Sequence, residues 1–196
     1  MAPELESCLS RIEASKRAVD ELAGPLSKGQ MEWQPQPGAW SIGQCLQHLN
    51  LTLEQFLPAV DLAMEKGRNA GKLSAGPFRH GWLMRKFLAS MEPPVKKKFR
   101  APKTVAPAPE IVKEQILADF HRWREQYRQR IVAADGLDLR RIKVQSPFLR
   151  ILWWDLGTAL QVMAAHDRRH LWQAQQVRNH EAFPAARASS SAPGLV

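Results

Sequence analysis

The chain has 196 residues, 44% hydrophobic and 24% charged, a composition that fits one ordinary globular core rather than two. No uncharged apolar run approaches the ~20 residues needed to span a bilayer, and the start Met1-Ala2-Pro3-Glu4-Leu5-Glu6 lacks the apolar core of a secretory signal, so a cytoplasmic protein without a membrane partner is expected. The formal charge of +9 raises a polyanion partner, but basic residues are scattered, the one dense run (Lys96-Lys97-Lys98 with Arg100) is proline-flanked, and no nucleic-acid-binding motif accompanies it.

Helical spacing of Leu5, Cys8, Leu9, Ile12, Val19, Leu22 and Leu26 predicts a first helix from about Glu4 to Leu26, with Gly24-Pro25 as a breaker that would end it early. The second has the clearest start. Ser41 with Gln44 reads as a capping box, Trp40 with Cys45 as a hydrophobic staple. Ile42, Cys45, Leu46, Leu49, Leu53, Phe56, Leu57, Val60 and Met64 then keep the period for over six turns.

About forty residues, Gly67 to Ala108, lead to the next helix, against ~2–8 in a simple antiparallel connection. Such a crossover lets two consecutive helices run parallel. Within it, Phe78 to Met91, with Trp82, Leu83, Phe87 and Leu88, predicts a short amphipathic helix, and Pro93-Pro94 onward is too proline-rich for one. A third long helix opens near Pro109, shows Val112, Ile116, Phe120, Trp123 and Tyr127 on one face, and stops before Asp135-Gly136. Leu137 to Val144 reads as extended. The fourth long helix is expected to open at Ser146-Pro147 and to run to about His180. Residues 185–196, rich in Ala, Ser and Pro, predict a disordered tail on a single all-α domain spanning 1–184.

Cys8 and Cys45 are too few for a disulfide framework, lack C-x-x-C spacing, and read as buried thiols, although Cys45 stands three residues before a histidine and could face the same site. The strongest chemical signal is His166 and His170 in Ala165-His166-Asp167-Arg168-Arg169-His170-Leu171. At 100° per residue they share a face with Leu152, Leu156, Ala159, Met163, Ala174 and Val177. Burying two imidazoles without partners would cost several kcal/mol, and side chains four apart on a helix can converge on one ion. A core metal site and a structural pair both fit. Among the other histidines, His121 lies opposite its apolar stripe, His180 is near a helix end, and His80 is in the crossover. His48 is the best third ligand, on the flank of the capping-box helix. An H-E-x-x-H peptidase is not expected, because Asp167 occupies the glutamate position and no clear third ligand follows downstream.

Trp40-Ser41-Ile42-Gly43-Gln44-Cys45-Leu46-Gln47-His48-Leu49 resembles the W-S-x-x-(E/Q)-x-x-x-H-(L/I) signature of the DinB-like (DinB/YfiT) superfamily. Ala165 to Gln173 is similar to its C-terminal H-x-x-R-H-x-x-Q signature, and the order and separation of the blocks agree. The resemblance implies a four-helix bundle of up-down-down-up topology with the long crossover between its second and third helices. It implies a three-histidine metal site, His48, His166 and His170 at the matching positions, and a homodimer. It also implies metal-dependent chemistry, with relatives that are thiol S-transferases using low-molecular-weight thiols, a thiol-dependent isomerase, or metal-dependent hydrolases.

Three imidazoles on a divalent ion, zinc or nickel, leave coordination positions open, as in catalytic sites. The expected chemistry is activation of a thiol or water nucleophile against a small electrophilic substrate. Asp167, Gln44 and Gln173 are the candidate proton-handling or supporting groups, although Asp167 fits equally a surface ion pair with an arginine. Arg168 and Arg169 could bind an anionic substrate or be solvated. The alternatives are a non-catalytic metal-binding or structural bundle and, less favoured, polyanion binding through Lys96 to Arg100.

Overall fold

In the computed structural model, which describes residues 1–74, 78, 81–95 and 101–185, the apolar periods of the sequence become six α-helices among the described residues. Four are long: α1 (Pro3–Ala23), α3 (Ile42–Asn69), α5 (Lys113–Ala133) and α6 (Leu156–Arg178). Two are short: α2 (Lys28–Glu32) and α4 (Trp82–Met91). His80, the basic run Lys96 to Arg100 and residues 186–196 lie outside the described residues. No helix among the described residues is long and apolar enough to cross a membrane.

Local chemistry explains most boundaries. Ser41 caps α3 as expected, its hydroxyl accepting from the Gln44 N–H at 3.1 Å while Gln44 Oε1 accepts from the Ser41 N–H at 3.0 Å. A second capping box, Ser27 with Gln30, opens α2, a turn whose cap signature stands in the sequence but whose five residues hold no apolar period. α1 ends at Ala23, before the Gly24-Pro25 breaker. α5 begins at Lys113 rather than near Pro109, so Val112 is its cap residue and is 53% exposed instead of facing the core.

The expected start of the last helix at Ser146-Pro147 is wrong. Strand β1 (Lys143–Gln145) pairs antiparallel with β2 (Trp153–Asp155), with Val144 opposite Trp154 and both buried. Ser146 serves a turn, its hydroxyl accepting from the N–H groups of Phe148 and Leu149 at 3.3 Å. The true cap of α6 is Asp155, whose carboxylate accepts from the Thr158 N–H at 2.7 Å. Leu152 therefore lies on the hairpin and not on the stripe of the histidine helix.

α3 packs against α5 and α6, and α1 packs against the same two helices; α4 lies on α6. Their apolar faces form two clusters. One takes Leu5 and Ile12 of α1, Leu53 and Phe56 of α3, Tyr127 and Ile131 of α5, and Leu160 and Ala164 of α6. The other takes Val19, Leu46, Leu49, Phe120, Leu171 and Ala174 from the same helices. Between them runs a band of buried polar residues: Ser15 on α1, His48 and Asn50 on α3, Arg124 on α5, and Asp167 and His170 on α6. The candidate site is built on that band.

Candidate metal centre

The polar band brings three imidazoles together from two helices. One ring nitrogen each of His48, His166 and His170 lies within 4.8 Å of the others. His48 Nε2 and His166 Nε2 are 3.3 Å apart, and the ring centroids are separated by 4.5 to 5.1 Å. His48 and His170 are buried, and His166 is partly open to an adjoining cavity.

Neighbouring acceptors fix which nitrogens face inward. The His48 Nδ1–H donates to the Val105 carbonyl at 2.7 Å, which leaves Nε2 as the lone-pair nitrogen toward His166. The His170 Nδ1–H donates to Gln173 Oε1 at 3.0 Å, with the same consequence. A ring that gives one N–H to a fixed oxygen and turns its other nitrogen to a shared point is the arrangement of a metal-ligating histidine. Two lone pairs at 3.3 Å repel unless a cation or a proton stands between them. The donor set fits a divalent ion that takes imidazole nitrogen, which includes zinc and nickel.

Burial is the main reason all three rings stay neutral. It lowers the His48 pKa from 6.5 against the opposing bond to Val105. It drives His166 well below 6.5, helped by the neighbouring rings and by Arg124, and takes His170 to about 3. Neutral imidazole is the ligating form. In the unfolded chain each ring takes up a proton near 6.5, so metal-free protein should hold its full stability above that pH and lose it progressively as pH falls toward about 3. The expected slope is at most ~1.4 kcal/mol per pH unit for each ring. Denaturant midpoints between pH 7 and 5 measure it, and His170→Gln should give a shallower curve.

A cavity of about 800 Å³ opens beside the rings. Trp40, Phe148, Trp172, Pro35 and Val105 contribute to its apolar walls, and Arg169, Gln173, Gln176 and His180 are among its polar groups. None of its described lining residues is acidic, and the sequence outside the described residues contains no Asp or Glu. Trp40 was expected as a staple; its indole also sits 4.8 Å from the His48 ring and 5.7 Å from that of His170. The Val105 acceptor had no signal in the sequence, because a main-chain carbonyl in a proline-rich connection carries no residue code.

Other candidates go elsewhere. Gln44 is engaged by the cap and by Gln34, and it is not among the described lining residues. Cys45 lies in the second apolar cluster, its thiol pushed up to about 12 by burial. His121 bonds Asp20 at 2.7 Å on the outer surface. Arg168 pairs with Glu92, whereas Arg169 lines the cavity. Asp167 has the arginine partner that one expectation gave it, but in the core: Arg124 donates to both its oxygens, at 3.1 and 2.7 Å. Arg124 was missed, although its place four residues after Phe120 and three before Tyr127 sets a charge on an apolar stripe.

The sequence profile of the DinB superfamily matches residues 11–174, which includes all three histidines and all four long helices in whole or in large part. The chain belongs to the DinB superfamily. No match was found among curated proteins or among solved structures.

Proposed function

We propose that the protein is a metal-dependent enzyme in which His48, His166 and His170 hold a divalent ion, zinc or nickel, and that the adjoining cavity admits a low-molecular-weight thiol and a small electrophile. The observation that carries this reading is the convergence of three neutral imidazoles beside a cavity of about 800 Å³, a volume typical of small-molecule sites. Bound there, the ion would act as a Lewis acid and lower the pKa of a thiol or water. The chain's own residues prepare the site. Val105 and Gln173 orient two rings through their Nδ1–H groups, and Trp40, Phe148 and Trp172 supply apolar walls for the body of a substrate.

Charge favours thiol over water. A water nucleophile is ordinarily served by a positioned base, a histidine or a carboxylate; the described lining holds no carboxylate, and His180 is its one imidazole outside the ring cluster. A thiol, with a pKa near ~8.5, ionises at much smaller cost. The cluster order also supports the up-down-down-up bundle. α1 and α6 run from the first apolar cluster to the second, while α3 and α5 run from the second to the first. The long connection between α3 and α5 suits that parallel pair.

Product formation from a panel of electrophiles, with and without a low-molecular-weight thiol, tests the reading on metal-loaded and metal-stripped protein. Thiol-dependent product should appear only with the loaded protein and should vanish in His48→Ala. Turnover without thiol would make it a hydrolase. Metal binding with no turnover on any substrate would favour the non-catalytic bundle.

A further inference from the structure

Arg124 has no exposed side-chain surface, yet it is the only described residue of α5 that joins, by its side chain, both ligand-bearing helices at the level of the histidines. Its Nε and Nη2 donate to the two oxygens of Asp167, which follows His166 on α6. Its Nη1 donates at 2.8 Å to Asn50 Oδ1, two residues after His48 on α3. Asn50 Nδ2 then donates at 2.9 Å to the Ile116 carbonyl on the chain of α5, and the guanidinium carbon lies 3.5 Å from the Phe120 ring centroid.

We propose that Arg124, acting through Asp167 and Asn50, is a positioning residue that sets the separation of His48 from His166. Its purpose rests on the metal-site reading; its geometry does not. The apolar clusters above and below the polar band hold the helices together without direction, because apolar contact tolerates sliding. A planar guanidinium fork does not: it fixes distance and angle to a carboxylate at once. Burial of an ion pair is weak as a source of stability, and an apolar replacement of similar volume often serves as well. What the triad adds here is register between α3 and α6, where ligating groups must be held to within ~0.5 Å. It also occupies both oxygens of Asp167, so the carboxylate next to His166 is held away from the ring cluster as a structural partner.

Two variants test this: Arg124→Lys, which keeps the charge but loses the fork, and the double variant Arg124→Met/Asp167→Leu, which replaces both charges by apolar side chains. Zinc affinity is read by competition with a chromophoric chelator, the ligand field by the visible spectrum of cobalt(II), and the metal-free rings by the nitrogen-15 signals of the imidazoles. The expected result is cooperative unfolding in at least the double variant, zinc affinity down ~10–100-fold, an altered cobalt spectrum, and shifted signals from His48 and His166. Folded variants with wild-type affinity, spectrum and imidazole signals would overturn the proposal. If Arg124→Lys fails to fold, the double variant decides. If the wild-type protein takes up no metal, the functional reading falls, and the imidazole signals still decide whether Arg124 positions the rings.

Discussion

His166→Ala should leave a folded protein that no longer retains metal. Only His48 and His170 would remain, on different helices with ring centroids 4.6 Å apart. Loss of a supporting group around a metal typically costs ~10–100-fold in affinity, so loss of a ligand should cost more than 100-fold. The metal-free fold should change little, within about 1 kcal/mol. His166 faces the cavity, and in the metal-free protein its removal takes away one long contact, between its Nε2 and His48 Nε2 at 3.3 Å. His180→Ala is the matched control, because that ring lines the same cavity outside the cluster and should leave metal retention unchanged. Elemental analysis of protein purified without a polyhistidine tag, followed by chelator competition, separates the two variants.

Arg124→Met should destabilise the fold by about 3–5 kcal/mol, because it leaves the Asp167 carboxylate buried and uncompensated. For a chain of this size that corresponds to a fall in Tm of roughly 6–20 °C. Asn50 Oδ1 would also lose its donor. Adding Asp167→Leu should recover most of the loss, since the cost lies in the unpaired charge rather than in the missing attraction. The Arg130–Asp61 pair joins α5 to α3 nearer the surface, with Asp61 45% exposed, and removing it should cost less than ~1 kcal/mol. A double-mutant cycle on each pair by denaturant unfolding measures the contrast.

The four long helices were legible because each buries one stripe over many turns, and the capping box at Ser41 and Gln44 stands in the structure as it reads in the sequence. What escaped was short or non-local. Ser146-Pro147 has the signature of a helix start, yet the pairing of Val144 with Trp154 buries both residues and makes the segment a hairpin. That gain depends on a partner strand eight to twelve residues away, which local periodicity does not register. The histidine pair announced itself by its place on an apolar stripe, and His48 joins it from the flank of α3. The wheel left that flank position open because it shows one helix at a time, and a corner between α3 and α6 exists only after packing. The groups that orient the rings were legible only in part. Gln173 lies three residues from His170 and was within local reach, whereas the Val105 carbonyl comes from 57 residues beyond His48.

Anomalous diffraction at the zinc and nickel absorption edges, from crystals of untagged protein, tests the metal centre most directly. The predicted result is one anomalous peak bonded by His48, His166 and His170, present in the wild type and missing in His166→Ala. Metal-replete crystals with no peak at that point, or with a peak held by other residues, would contradict it.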